Sequence, residues 1–269
     1  MVTVAVRKYA GGNVHRISDV LAVEAPLQIY LAYDRGGSLV ETPLSITMRT
    51  PGYDQLLVAG LLFTEGLIEN AAQIADIRED PTQQRVTAVL QGVAPNSTRT
   101  ARQFYASSSC GVCGKTELSG LAARPPTFTL GYNGPNIDST VLAALPARLR
   151  AAQKVFDTTG GLHASGLFDI HGKLLALYED IGRHNALDKL IGSQLLAQRL
   201  PLANDLVMLS GRMSFELVQK VAMVGGRVLI AVGAPSSAAL DLAQQYDITL
   251  IGFMRSDSFN CYHGSRRIQ

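Results

Sequence analysis

Two thiols, Cys110 and Cys113, stand three residues apart in "ASSSCGVCGKTELSG" (106–120), with Lys115 close behind. Four chemistries suit such a pair. A structural zinc site takes four ligands, and neither Cys261 nor any of the five histidines supplies a second pair at ligand spacing. A thioredoxin-like redox pair needs a helix beginning at the first thiol to depress its pKa. Here Ser107 to Ser109 precede it, and Gly111, Gly114 and Lys115 are interleaved, which describes a loop. "SCGVCGKT" approaches the phosphate-loop pattern GxxxxGK[ST], but Ser109 stands where the backbone needs its first glycine. The fourth is a thiol relay: one cysteine carries a persulfide sulfur and the other resolves or assists it. That chemistry needs an accessible thiolate near a cation such as Lys115, and the setting suits it best. Residue types alone leave all four open.

A second set of chemically capable residues lies in the C-terminal half. Glu179, Asp180, Gly182, Arg183 and His184 form one group; Ser210, Gly211 and Arg212, then Ala234 to Ser237, then Arg255 to Ser258 form the others. The elements that must position them are regular. "LHASGLFDI" and "KLLALYED" read as strands about a His171-Gly172 turn, followed by the helix "NALDKLIGSQLLAQRL". Then come "DLVMLS", helix "SFELVQKVAMV", "RVLIAVG", helix "SSAALDLAQQY" and "ITLIGFMR", and "VLAALPARLRAAQKVF" precedes them all as a helix. Alternating strands and helices with short connections predict a parallel sheet flanked by helices.

In open α/β sheets ligands gather beyond the carboxyl ends of the strands, where these polar groups fall. Two of the loops run into helix N-termini, which favour anions, so a phosphate-bearing ligand is expected. Helix capping competes for the same residues: Asn185, with Asp188 at the third position, and Ser214 are expected caps. Capping does not account for Gly-Arg pairs at two successive strand ends, Gly182-Arg183 and Gly211-Arg212, so at least one arginine is expected to meet a ligand.

The N-terminal half reads differently. "LAVEAPLQIYLAY" and "SLVETPLSITMRT" flank Asp34-Arg35-Gly36-Gly37 as a hairpin, and "YDQLLVAGLLFTEG" is a helix apolar around most of its circumference, hence buried between layers. "RVTAVLQ" and "RQFYAS" are further strands, the second leading into the thiol loop, and "RPPTFTLGYNGPNIDS" reads as a linker. The 269 residues, 47% apolar and 17% charged, describe a globular chain with material for a sizeable core. A net charge of +2 is too mild to imply nucleic acid or a membrane surface as partner. There is no leader pattern and no long apolar span, and three cysteines suit a reducing compartment, so a soluble cytoplasmic protein is expected.

"SSSCGVCGK", "DTTGGLHAS", "YEDIGRHNALDKLIG", "LSGRMSFELVQKV" and "IGFMR", with "TPGYDQLLVAGLLFTEGLI" ahead of them, cover nearly the whole chain in order. With these segments the sequence resembles the FdhD/NarQ family, sulfur carriers required for formate dehydrogenase activity. The resemblance implies an α/β fold: a cytidine-deaminase-like domain over 126–269 and a smaller α+β domain over 1–125 that ends in the CxxC loop. It implies that a cysteine desulfurase loads persulfide sulfur on Cys110, with Cys113 as its partner. The sulfur then passes to the molybdenum bis(molybdopterin guanine dinucleotide) cofactor before its insertion into formate dehydrogenase, a sulfurtransferase-like role.

The family's cofactor-binding stretch maps onto Phe253, Met254, Arg255, Ser256, Asp257 and Ser258, and guanine nucleotide is expected to mimic the cofactor. Arg183, Arg212 and Arg255 are expected to contact phosphate or guanine, beside Gly211, while His163 and His184 are candidates to contact pterin or phosphate. No metal is expected to be held by the protein itself. The deaminase signature is not kept, since His163-Ala164-Ser165 stands where it needs H-x-E, so deamination is not expected. Cys261 is expected to be a small apolar bystander. A cargo with two nucleotide arms suggests a homodimer with one arm per subunit. The alternative is a chaperone that binds and inserts finished cofactor, its thiols giving redox protection only.

Overall fold

The computed structural model describes residues 1–91, the backbone of 104–106, and 134–269. Cys110, Cys113, Lys115 and most of the expected linker lie outside the described residues.

The expected hairpin forms as β3 (Ala25–Arg35) and β4 (Ser38–Arg49), antiparallel with Arg35 opposite Ser38. Gly36 and Gly37 both take positive φ in the two-residue turn, a conformation side chains with a Cβ resist. These strands centre a sheet ordered β5-β6-β3-β4-β7, with β5 (Ile74–Asp80), β6 (Arg85–Leu90) and β7 (Phe104–Ala106). Ahead of it a two-stranded ribbon, β1 (Val2–Ala10) and β2 (Asn13–Leu21), is largely exposed. Sequence reading missed it because few of its residues meet the core.

The helix expected between layers is α1 (Asp54–Thr64), with Leu57, Val58, Ala59, Leu62 and Phe63 buried. The C-terminal half then runs α2 (Ser139–Ala152), α3 (Lys154–Thr159), β8 (His163–Phe168), β9 (Leu174–Asp180) and α4 (Arg183–Leu196). It continues β10 (Leu206–Leu209), α5 (Phe215–Met223), β11 (Val228–Ala231), α6 (Ser237–Gln245), β12 (Thr249–Gly252) and β13 (Asn260–His263). The expected single helix over 141–156 is interrupted at Gln153, for a reason set out below.

The expected parallel sheet is in fact mixed. Its order is β13-β12-β11-β10-β8-β9, and only β10, β11 and β12 run parallel. The tight turn at Gly172 forces β8 and β9 to be antiparallel, and β8 is likewise antiparallel to β10. Two reversals restore direction, so the carboxyl ends of β9 to β12 share one edge with the amino end of β8, where His163 lies opposite Asp180. On one face, Leu187 and Leu190 of α4 and Leu217 of α5 join Leu57 and Leu62 of α1 and Leu27 and Ile29 of β3 in one continuous core. On the other, Leu142, Leu145 and Leu149 of α2 cover Phe168, Met208, Ile230 and Ile251.

Candidate functional site

Backbone hydrogen bonds knit the loops at the shared edge. Gly233 N–H donates to Gly211 O at 3.0 Å, Phe253 N–H to Gly233 O at 3.1 Å, and Met254 N–H to Ala231 O at 3.0 Å. Two glycines make this closeness feasible. A Cβ on Gly233 would fall 2.9 Å from the Gly211 carbonyl oxygen, and one on Gly211 3.1 Å from His163 Nδ1. Phe253 sits at φ 52°, left-handed for a residue that bears a Cβ, and the residue is 44% exposed. Met254 is fully buried in the core below, so the strand end alternates an anchored methionine with an exposed aromatic. Strain of this kind collects at functional sites.

A cleft of about 720 Å³ opens at this edge. Of the expected site residues it brings together His163, Met254, Arg255 and Ser256, with Ser210 among them. Arg255 Nη1 donates to Val232 O and Met254 O, both at 2.9 Å, which ties the loop to the sheet while the residue stays exposed. Phe253, Asp257 and Ser258 are exposed on the same loop but do not line the cleft, and neither do Arg183, His184, Gly211 and Arg212. Sequence reading missed the opposite wall: Leu149, Arg150, Gln153, Phe156, Gly160 and Gly161. Gly160-Gly161 in "DTTGGLHAS" was the available signal, since paired glycines let a backbone approach a neighbour closely.

The electrostatics favour an anion. Burial first, then the neighbouring positive charge of Arg183, holds the His163 imidazole below its ordinary value, with His184 and Arg212 adding to the effect and Asp180 opposing it. His163 is therefore neutral at pH 7 among cations. Arg183 opens α4, and its Nε is buried with no hydrogen-bond partner among the described residues. His184 faces the start of α5 instead, with Nε2 3.4 Å from Ser214 Oγ and 3.9 Å from Glu216.

The expected caps are not formed. Gly182, not Asn185, is the N-cap of α4, and Ser214, though at the N-cap of α5, makes no side-chain cap. Asn185 is buried one turn in, where its Nδ2 donates to Met48 O at 2.8 Å and Asp180 Oδ1 at 3.1 Å. Asp180, which the sequence groups with the ligand loops, is fully buried and paired with Lys189 at 2.7 Å. It also accepts from Thr50 N–H and Gly182 N–H, so the N-terminal sheet holds the loop before α4 in place. Glu179 is likewise spent on structure, accepting from Val155 N–H and Phe156 N–H.

Cys261 Sγ lies 3.2 Å from His263 O, packed against the second core, and burial pushes its thiol up. Among the described residues no three His, Cys, Asp or Glu side chains are grouped to hold a metal ion, and no helix is long and apolar enough to cross a membrane.

The Sulfur carrier protein FdhD of Streptomyces avermitilis is 43% identical over 267 residues, covering 96% of this chain and 92% of that protein. The protein of the same name from Nocardia farcinica is 44% identical over 270 residues, covering 98% and 93%. That of Mycobacterium tuberculosis is 42% identical over 275 residues, covering 98% and 96%. A crystal structure of a candidate formate dehydrogenase accessory protein from Desulfotalea psychrophila superposes with a TM-score of 0.76 at 24% identity, over 100% of this chain and 99% of that one, and so shares the fold. The FdhD/NarQ family model matches residues 22–269, and the chain belongs to that family.

Proposed function

We propose that this protein carries persulfide sulfur from a cysteine desulfurase to the molybdenum of a bis(molybdopterin guanine dinucleotide) cofactor destined for formate dehydrogenase. The observation that carries the reading is the convergence of neutral His163, the Arg183 and Arg212 cations and the Arg255-Ser256 backbone at one strand-end edge. That edge suits the pyrophosphate and planar rings of the cargo's nucleotide arms. The order two-one-three-four-five from β9 to β12, with β8 reversed, supports reading this half as a cytidine-deaminase-like scaffold.

Strand β7, which precedes the thiols in the sequence, is tied to the same region. Ala106 pairs with Thr47, whose hydroxyl donates to Asn185 Oδ1 at 3.4 Å. Cys110 thiolate attacks the outer sulfur of the desulfurase persulfide, forming Cys110–S–SH and releasing the desulfurase thiolate. Attack by Cys113 on the inner sulfur then forms a Cys110–Cys113 disulfide and expels the outer sulfur as hydrosulfide for the metal; a cellular dithiol reduces the disulfide. Two arms on the cargo suit a twofold dimer in the cytoplasm, with one arm per subunit.

The test is peptide mass spectrometry after incubation with a cysteine desulfurase and cysteine. A sulfur adduct on the Cys110 peptide, retained in Cys113→Ala and absent in Cys110→Ala, is expected. No adduct under conditions that load a known acceptor would replace this reading with that of a cofactor-insertion chaperone.

A further inference from the structure

We propose that Gln153 makes a paired hydrogen-bond contact to a heterocycle seated in the cleft, through a ring edge that sets a donor beside an acceptor. The inference rests on the cargo reading above and names a contact on the wall opposite the strand ends.

The observation begins with the helix that breaks. At Gln153 the backbone leaves helical geometry, with φ −78° and ψ 77°, and α3 restarts one residue later. The restart is held from the sheet: the Glu179 carboxylate accepts Val155 N–H at 2.9 Å and Phe156 N–H at 2.8 Å, which replaces bonds a continuous helix would have made. The interruption leaves Gln153 at the joint, 4% exposed and lining the cleft beside Leu149, Phe156 and Leu162. Its amide nitrogen is buried with no hydrogen-bond partner among the described residues.

Buried amides are almost always bonded, so an orphan in the wall of a cleft is a group whose partner arrives with the ligand. A primary amide offers one donor face and one acceptor face side by side. Its complement is a lactam-type edge, N–H beside C=O, as both guanine and pterin present. The apolar walls Leu149, Phe156 and Leu162 fit the faces of a planar ring, and the Ser210, Arg255 and Ser256 end fits what the ring is attached to. Gln153 thus holds the ring, and the strand-end loops hold the phosphates.

The test uses the full chain and Gln153→Met, which keeps the volume and removes both polar groups. GDP, inorganic pyrophosphate and free pterin are titrated by calorimetry. GDP affinity is expected to fall about 10- to 100-fold in the variant, with pyrophosphate affinity unchanged. The melting temperature should hold or rise, because an unbonded buried amide has been removed. Pterin that displaces GDP from the wild type but not from the variant assigns the seat to the pterin ring; GDP loss without pterin competition assigns it to guanine. Equal losses for GDP and pyrophosphate, no loss for either, or a lowered melting temperature would each overturn the contact. If the wild type binds GDP and the variant binds it equally, only this inference falls. If the wild type binds none of the three, the cargo reading falls with it.

Discussion

Gly60 and Gly192 bring two helices into backbone contact. A Cβ on Gly192 would lie 1.9 Å from the Leu56 carbonyl oxygen, and one on Gly60 1.9 Å from that of Asp188. Thus α1 from the N-terminal half and α4 from the C-terminal half cross with no side chain between them. That closeness lets the Lys189–Thr50 and Asp188–Thr64 bonds form, at 2.9 and 3.0 Å, and through Thr50 and Asp180 it fixes the loop that starts α4.

Gly192→Ala should therefore be strongly destabilising although alanine is the better helix former. No flexible side chain can yield to the new methyl, only a backbone, and the helices must separate. A loss of at least about 3 kcal/mol is expected in denaturant unfolding. A variant with unchanged stability would show that the helices do not cross at this distance.

The Asp188–Lys220 pair lies just beyond that crossing. Lys220 Nζ donates to both Asp188 oxygens at 2.8 and 2.9 Å and to Thr64 Oγ1 at 2.8 Å. Burial pushes the Asp188 carboxyl up and Lys220 opposes it. Lys220→Met leaves a carboxylate buried without its cation and should lose about 3–5 kcal/mol. The double change Asp188→Leu with Lys220→Met should recover most of it. A single variant no worse than the double one would show the charge pair to be incidental.

Glu216 supplies a pH signature. The His184 imidazole beside it, helped by the Ser214 hydroxyl and a backbone N–H and opposed by burial, brings its carboxyl down to about 2. A folded-state value below the unfolded one contributes stability above pH 4.5 that is lost as pH falls towards 2. Wild type should thus exceed Glu216→Gln by about 2–3 kcal/mol near pH 6, with the gap closing between pH 4.5 and 2. Parallel stability curves for the two proteins across that range would contradict the assignment.

Much of the candidate site was legible because strand ends announce themselves: apolar runs of four to six residues stop at Gly, Ser, Arg and Asp. That grammar placed Arg255 and Ser256 at the edge, while Phe253, Met254 and His163 entered through the resemblance to the family. The capping assignments failed for a reason local sequence cannot hold. Asn185 and Asp188 look like a helix start, yet their partners, Met48, Thr64 and Lys220, come from segments that only the fold brings near.

The sequence by itself determined most of the elements and the family, because periodicity, turn glycines and the "SSSCGVCGK" and "EDIGRHNALDKLIG" segments are local patterns that need no neighbours to be read. Only the tertiary structure decided that the sheet is mixed, that Asp180 and Glu179 brace loops, and that Gln153 lines a cleft with its amide nitrogen unbonded among the described residues. Those outcomes depend on which distant groups satisfy each buried donor and acceptor. That pairing is settled by burial across elements far apart in the chain.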